Sequence, residues 1–123
     1  MGDEVNGALL RFYVQEGHRH HGLLLWEWLL KKASKLGIRG GSAFRAVGGF
    51  GRHHVLREPA FFELAGTVAV EVEFSVTDAE AQQLLELIAE EKIRLFYVRI
   101  PAQFGVINPD VDDSATAPEP AQS

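Results

Sequence analysis

Cysteine is absent from the 123 residues, which excludes disulfides, iron–sulfur clusters, thiolate zinc sites and thiol nucleophiles together. No apolar run approaches the roughly 18 residues that a membrane-crossing helix needs, so membrane insertion is not expected. The opening stretch, Met1 to Gly7, is short and acidic, unlike a secretory or transit signal. A cytoplasmic protein is the expectation. With 46% hydrophobic and 24% charged residues, the composition is that of one soluble globular domain, long enough to bury a core unaided.

Basic charge is scarce only at the ends. Of 17 acidic residues, Asp3, Glu4, Asp110, Asp112, Asp113 and Glu119 lie near the termini with no basic counterpart. The body between them sets all 12 lysines and arginines against the remaining 11 acids, so it is close to neutral despite a net charge of −5. It offers no broad basic face, and nucleic acid is not an expected partner. The divisions expected are a flexible N-terminal tail over 1–7, a folded body over 8–107, and a disordered acidic, proline-rich tail over 108–123.

The body alternates between two periodicities. Ala8 to Gln15 alternates and is rich in aromatic and β-branched residues, which predicts a strand. Gly22 to Leu36 repeats at helical spacing and stops at Gly37, with Leu25, Trp26, Leu29, Leu30, Ala33 and Leu36 as its buried stripe. Leu24 and Trp28 widen that stripe toward the lysine face, as if to meet a second surface. A short strand follows from Ser42 to Val47. The clearest strand is Thr67 to Val76, with Val68, Val70, Val72, Phe74 and Val76 on one face and Glu71 and Glu73 on the other. Asp78 is a candidate N-cap for a helix from Ala79 to Glu90, and Arg94 to Ile100 reads as a last strand ended by Pro101.

The order βαββαβ predicts an α+β, ferredoxin-like sandwich: an antiparallel sheet with two helices on one face. That topology gathers the loop after the first strand, the connection after the second and the turn after the second helix at one end of the sheet. On the uncovered face the pattern puts Leu9, Arg11, Tyr13, Glu71, Glu73, Leu95, Tyr97 and Arg99, too apolar for a fully solvated surface. Burial in a homo-oligomer is expected. An RNA-binding sheet of this topology would expose aromatics on its third strand; Glu71 and Glu73 stand there instead.

All five histidines fall in two clusters, His18-Arg19-His20-His21 and His53-His54, and the topology puts both at that same end. The second follows a glycine-rich run, "RAVGGFGRHH", inside a connection of about 19 residues, longer than a hairpin needs. Gly48, Gly49 and Gly51 let backbone amides approach a ligand, and Arg45, Arg52 and Arg57 can pair with phosphate or carboxylate. Imidazoles of His18, His20 and His53 could instead hold zinc, copper or nickel, with Glu16 or Glu58 as carboxylate ligands. No nucleophile–base pair or paired carboxylates stand out, so no catalytic residues are assigned and no enzymatic activity is expected.

Two motifs carry a family resemblance. The first is a strand ending in Glu16-Gly17, followed by His21-Gly22 before an apolar helix. The second runs Gly40, Arg45, Val47, Gly49, Phe50, Gly51 and then His53-His54. From Leu9 to Ile100 the chain resembles the PII-like proteins of the domain of unknown function 190 family (DUF190), related in fold to PII signal proteins and to CutA. It departs from the pattern at Ala46 and Gly48. The resemblance implies a PII-like homotrimer whose sheets face the centre. It implies a small anionic effector, an adenine nucleotide, in clefts between subunits, and a membrane transporter or enzyme as the regulated partner. No cofactor is implied. Carried over by position, the cleft would involve Arg45, Gly49, Phe50, Gly51 and His54, with Glu16 and His21 beside them and Lys92 and Arg94 as phosphate contacts. The alternatives are a CutA-like divalent-metal-binding trimer using the histidine clusters, and an assembly module that binds no small ligand.

Overall fold

A four-stranded antiparallel sheet backs two helices in the computed structural model, which describes residues 4–49 and 68–112. The elements are β1 (Val5–Gln15), β2 (Arg19–His20), β3 (Leu23–Leu24), α1 (Leu25–Lys35), β4 (Gly41–Arg45), β5 (Ala69–Thr77), α2 (Asp78–Glu90) and β6 (Phe96–Phe104). The sheet order is β4-β5-β1-β6, the ferredoxin-like arrangement, and β2 with β3 forms a separate small hairpin. Strand β1 lies between β5 and β6 along nearly its whole length, paired from Gly7↔Thr77 to Gln15↔Ala69 and from Val5↔Phe104 to Tyr13↔Phe96.

Alternation along the strands makes the core. Ala8, Leu10, Phe12 and Val14 of β1 and Val70, Val72, Phe74 and Val76 of β5 point to one face, where they meet Leu25, Trp28, Leu29 and Ala33 of α1 and Ala81, Leu84 and Ile88 of α2. Phe12 and Phe74 meet edge to face, with ring centroids 6.2 Å apart. Burying such side chains stabilises by about 1.5–3 kcal/mol each, and this layer is the main source of stability.

Several expectations are corrected here. Strand β1 begins at Val5, three residues before Ala8, because β6 extends far enough to pair with it. Helix α1 begins at Leu25, since Gly22 to Leu24 belong to the small hairpin. Trp28, expected to widen the apolar stripe toward the lysine face and meet a second surface, is 3% exposed and belongs to this domain's own core. The N-cap of α2 is Thr77 instead of Asp78: its hydroxyl accepts from the Glu80 amide while the Glu80 carboxylate accepts from the Thr77 amide, a complete capping box. Strand β6 runs through Pro101 to Phe104, because an edge strand pairs on one side only and tolerates a missing N–H that faces outward.

The face assignment on β6 also changes. Tyr97 lies opposite Phe12 and Arg99 opposite Leu10, so both belong to the helix-side face, and Leu95 packs against the core ahead of the strand. Both parities of "LFYVRI" are apolar, so alternation alone cannot set the register; the pairing with β1 does. The uncovered face instead takes Phe96, Val98 and Ile100 from β6, beside Leu9, Arg11 and Tyr13 from β1, Phe44 from β4, and Glu71 and Glu73 from β5. Phe96, Phe44 and Ile100 are 69%, 53% and 41% exposed. Near the middle, Arg11 Nε sits 2.5 Å from a Glu73 oxygen and 3.6 Å from one of Glu71.

Gly7 is required by close approach: a Cβ there would overlap the Val76 carbonyl oxygen and the backbone around it. Gly7→Ala should therefore lower stability by about 1–3 kcal/mol in urea unfolding. Unchanged stability would mean that β1 and β5 can separate locally at little cost.

Candidate functional site

The end of β1, the end of β4, the start of β5 and the turn after α2 meet at one end of the sheet. The chain leaves β1 at Glu16, whose amide donates to the Val68 carbonyl at 2.7 Å, and turns back through the β2–β3 hairpin. Only His21 and Gly22 separate those two strands, and both adopt positive φ, 51° and 80°. A two-residue hairpin loop of type I′ requires this at both positions, which accounts for glycine at position 22. Histidine at position 21 is the costlier choice, since a residue with a Cβ is strained there.

On the other side, α2 ends in a Schellman motif. The Lys92 amide donates to Ala89 and the Ile93 amide to Ile88, with Lys92 at φ 57° in the position usually held by glycine. Helix α1 ends the same way with Gly37 in that position. Of the three non-glycine residues with positive φ among the described residues, two, His21 and Lys92, lie at this end of the sheet. Backbone strain of that kind collects at functional sites.

These turns bring Glu91 against both histidines. His20 Nε2 and His21 Nε2 each lie 2.9 Å from the same Glu91 oxygen, Oε1. A carboxylate only accepts, so each imidazole donates its Nε2–H. The hydrogen bonds from His20 and then His21 hold the Glu91 carboxyl below its ordinary value of 4.5, outweighing the opposite effect of burial. His20 stands edge-on to Trp28 with centroids 4.7 Å apart, and the Lys32 ammonium lies 5.8 Å from the Trp28 ring centre.

A second contact lies across the same segment. Arg45, at the end of β4, pairs with Glu16 through Nε at 2.8 Å and a terminal nitrogen at 3.1 Å, one to each carboxylate oxygen. This bidentate pair is exposed, so its guanidinium can exchange one anionic partner for another. The Ala46 amide donates to the Ala69 carbonyl at 2.9 Å, closing the base of the glycine-rich connection.

Glu16, His21, Arg45, Lys92 and Arg94 are thus all at one end of the sheet, with Gly49 just beyond β4. Phe50, Gly51, His53 and His54 lie outside the described residues. Of the metal set His18, His20 and His53, the last lies outside the described residues; His18 is exposed, and His20 stands with His21 and Glu91. Glu91 and Trp28 are the participants that sequence reasoning left without a role. The signal for Glu91 was its place in the turn that topology brings to the histidines; Trp28 gave none beyond its excess over the apolar stripe.

Strand order, helix placement and the convergence of these loops define a PII-like fold. The chain superposes on the structure of CPII from Thiomonas intermedia K12 bound to ADP and bicarbonate with a TM-score of 0.58, at 18% identity, covering 85% of this chain and 93% of that one. A second CPII structure, described as a nitrogen regulatory PII-like protein bound to ADP, AMP and bicarbonate, gives 0.57 at 16% identity, covering 85% and 99%. The sequence profile of DUF190, described as "Uncharacterized ACR", matches residues 7–96, and the chain belongs to that family. The UPF0166 protein of Aquifex aeolicus (strain VF5) is 28% identical over 102 residues, 76% of this chain and 97% of that protein.

Because Glu91 is held below its ordinary value, its contact with the histidines adds stability above about pH 4.5 and loses it as pH falls through the lowered value. Melting curves of the wild type and Glu91→Gln, taken in chelator from pH 7 downward, should differ at neutral pH and converge in acid. A gap that stays constant would mean that the contact does not form in solution.

Proposed function

We propose that the protein is a PII-like regulator: a non-enzymatic homotrimer that binds a small anionic effector, an adenine nucleotide, in clefts between subunits. Binding would change the glycine-rich connection after β4, and with it the surface offered to a regulated transporter or enzyme. The observation that carries this reading is the Glu16–Arg45 pair. It places a bidentate guanidinium, already neutralised by a displaceable carboxylate, at the base of that connection and at the exposed edge of the sheet. A phosphate entering there takes over the guanidinium and frees Glu16. Lys92 and Arg94 on the turn after α2 would extend the positive surroundings. The neighbouring CPII structures, both described as bound to ADP and one of them to AMP as well, support the choice of ligand class.

Trimerisation is supported by the uncovered face. Leu9, Tyr13, Phe44, Phe96, Val98 and Ile100 make an apolar surface around the Arg11–Glu73 pair, and edge strand β6 exposes Tyr97 on its other face as well. Exposed apolar edges of this length promote association unless they are covered. Among the described residues no helix is long and apolar enough to cross a membrane. The regulator would act from the cytoplasm.

Two measurements test the reading separately. In a thermal-shift panel of ATP, ADP, AMP and cyclic AMP, a nucleotide at 100 times its dissociation constant should add about 2.7 kcal/mol of stability. Arg45→Ala should weaken that nucleotide by roughly tenfold or more. No shift with any of the four would remove the nucleotide, and an unchanged affinity in the variant would remove Arg45 from the site. Independently, Ile100→Glu puts a charge on the uncovered face. Light scattering should then show trimers giving way to monomers, whereas a wild type already monomeric at working concentration would end the trimer reading.

A further inference from the structure

The three side chains on the turns have a chemistry that the nucleotide reading does not use. We propose that His20, His21 and Glu91 form a binding site for a divalent transition metal of the zinc class, independent of the Glu16–Arg45 pair. Their ligand atoms, two imidazole nitrogens and a carboxylate oxygen, all lie within 4.8 Å of one another. Both nitrogens already converge on one oxygen at 2.9 Å. Zinc, nickel and copper favour this donor set; magnesium and calcium favour oxygen alone.

Neighbouring residues in an extended strand point to opposite faces, so adjacent histidines do not ordinarily share a ligand. Here the positive φ of His21 breaks the alternation. It turns the second ring back beside the first, with centroids 4.2 Å apart. Asparagine or glycine would fill the same turn with less strain, so the hairpin geometry alone does not account for histidine at position 21. His20 is held by its packing against Trp28 and has an 18% exposed side chain, while that of His21 is 66% exposed. The cluster is therefore anchored on one side and open on the other.

Entry of the ion shifts each imidazole proton from Nε2 to Nδ1, so that both rings stay neutral, and replaces the two hydrogen bonds to Glu91 with metal–ligand bonds of about 2.0–2.2 Å. Two neutral imidazoles and one carboxylate leave an overall positive charge on the loaded site, and its solvent side keeps a coordination position for water or an anion. The ion would bridge the β2–β3 hairpin to the turn after α2, two segments otherwise joined at this point by hydrogen bonds.

The test uses the full chain, purified without a histidine tag and stripped with chelator. Zinc chloride titrated calorimetrically should bind at one ion per chain. Nickel or copper should quench the tryptophan emission, because His20 lies against Trp28. His21→Asn, which keeps a residue tolerant of the left-handed turn, and Glu91→Gln should each weaken zinc by about tenfold or more. His18→Ala, in the same histidine-rich segment but outside the cluster, should leave it unchanged. Circular dichroism confirms that each variant is folded, and if His21→Asn is not, Glu91→Gln decides alone. Absence of zinc binding overturns the proposal. So does binding that survives Glu91→Gln, or that falls equally with His18→Ala, which would mark a loose histidine-rich chelator.

Discussion

The register of the central strand is the constraint on which the rest depends. Strand β1 is held on both sides, by β5 and by β6, and its side chains alternate strictly between the packed layer and the uncovered face. A slip of one residue would exchange Leu10, Phe12 and Val14 for Leu9, Arg11 and Tyr13 in the core, burying a guanidinium with no prepared partner. The same register decides where the strand stops. Glu16 emerges beside the end of β4, and the histidine hairpin emerges beside the end of α2.

Segment 16–22 is consequently held from two directions. Arg45 grips it at Glu16 and Glu91 grips it at His20 and His21. Both contacts are polar and at least partly exposed, and each can be exchanged for a contact with a ligand of suitable charge. Buried apolar contacts could not be exchanged in that way, because separating them exposes surface to water at about 25 cal/mol per Å². The packed layer beneath supplies rigidity, and the polar contacts above it are the ones free to rearrange.

The fold class was legible in the sequence because β1, β5 and both helices carry unambiguous periodicities. The convergence of loops then followed from topology alone. Edge elements were harder. Strand β6 is apolar at both parities, so its register depends on a partner some ninety residues away, and Pro101 ends a strand only when its missing donor would face a neighbour. The candidate site was legible as a location only, the end of the sheet where Glu16, His21 and Arg45 lie. Its pairings were not, since they depend on backbone turns. No periodicity announces that His21 and Lys92 take positive φ, and without those turns Glu91 would have no reason to meet two histidines.

The pairing of Val5 with Phe104 joins segments at opposite ends of the described fold. The central strand is made first and its second neighbour last, so β1 must wait, half satisfied, until nearly the whole domain has been synthesised. Closing contacts between such distant segments carries a loop-entropy barrier that local contacts avoid, which slows folding relative to a helical bundle of the same size. During that interval a strand with apolar residues on both faces is open to any passing edge. A nascent chain of this protein is therefore most vulnerable to mispairing just before its final strand leaves the ribosome.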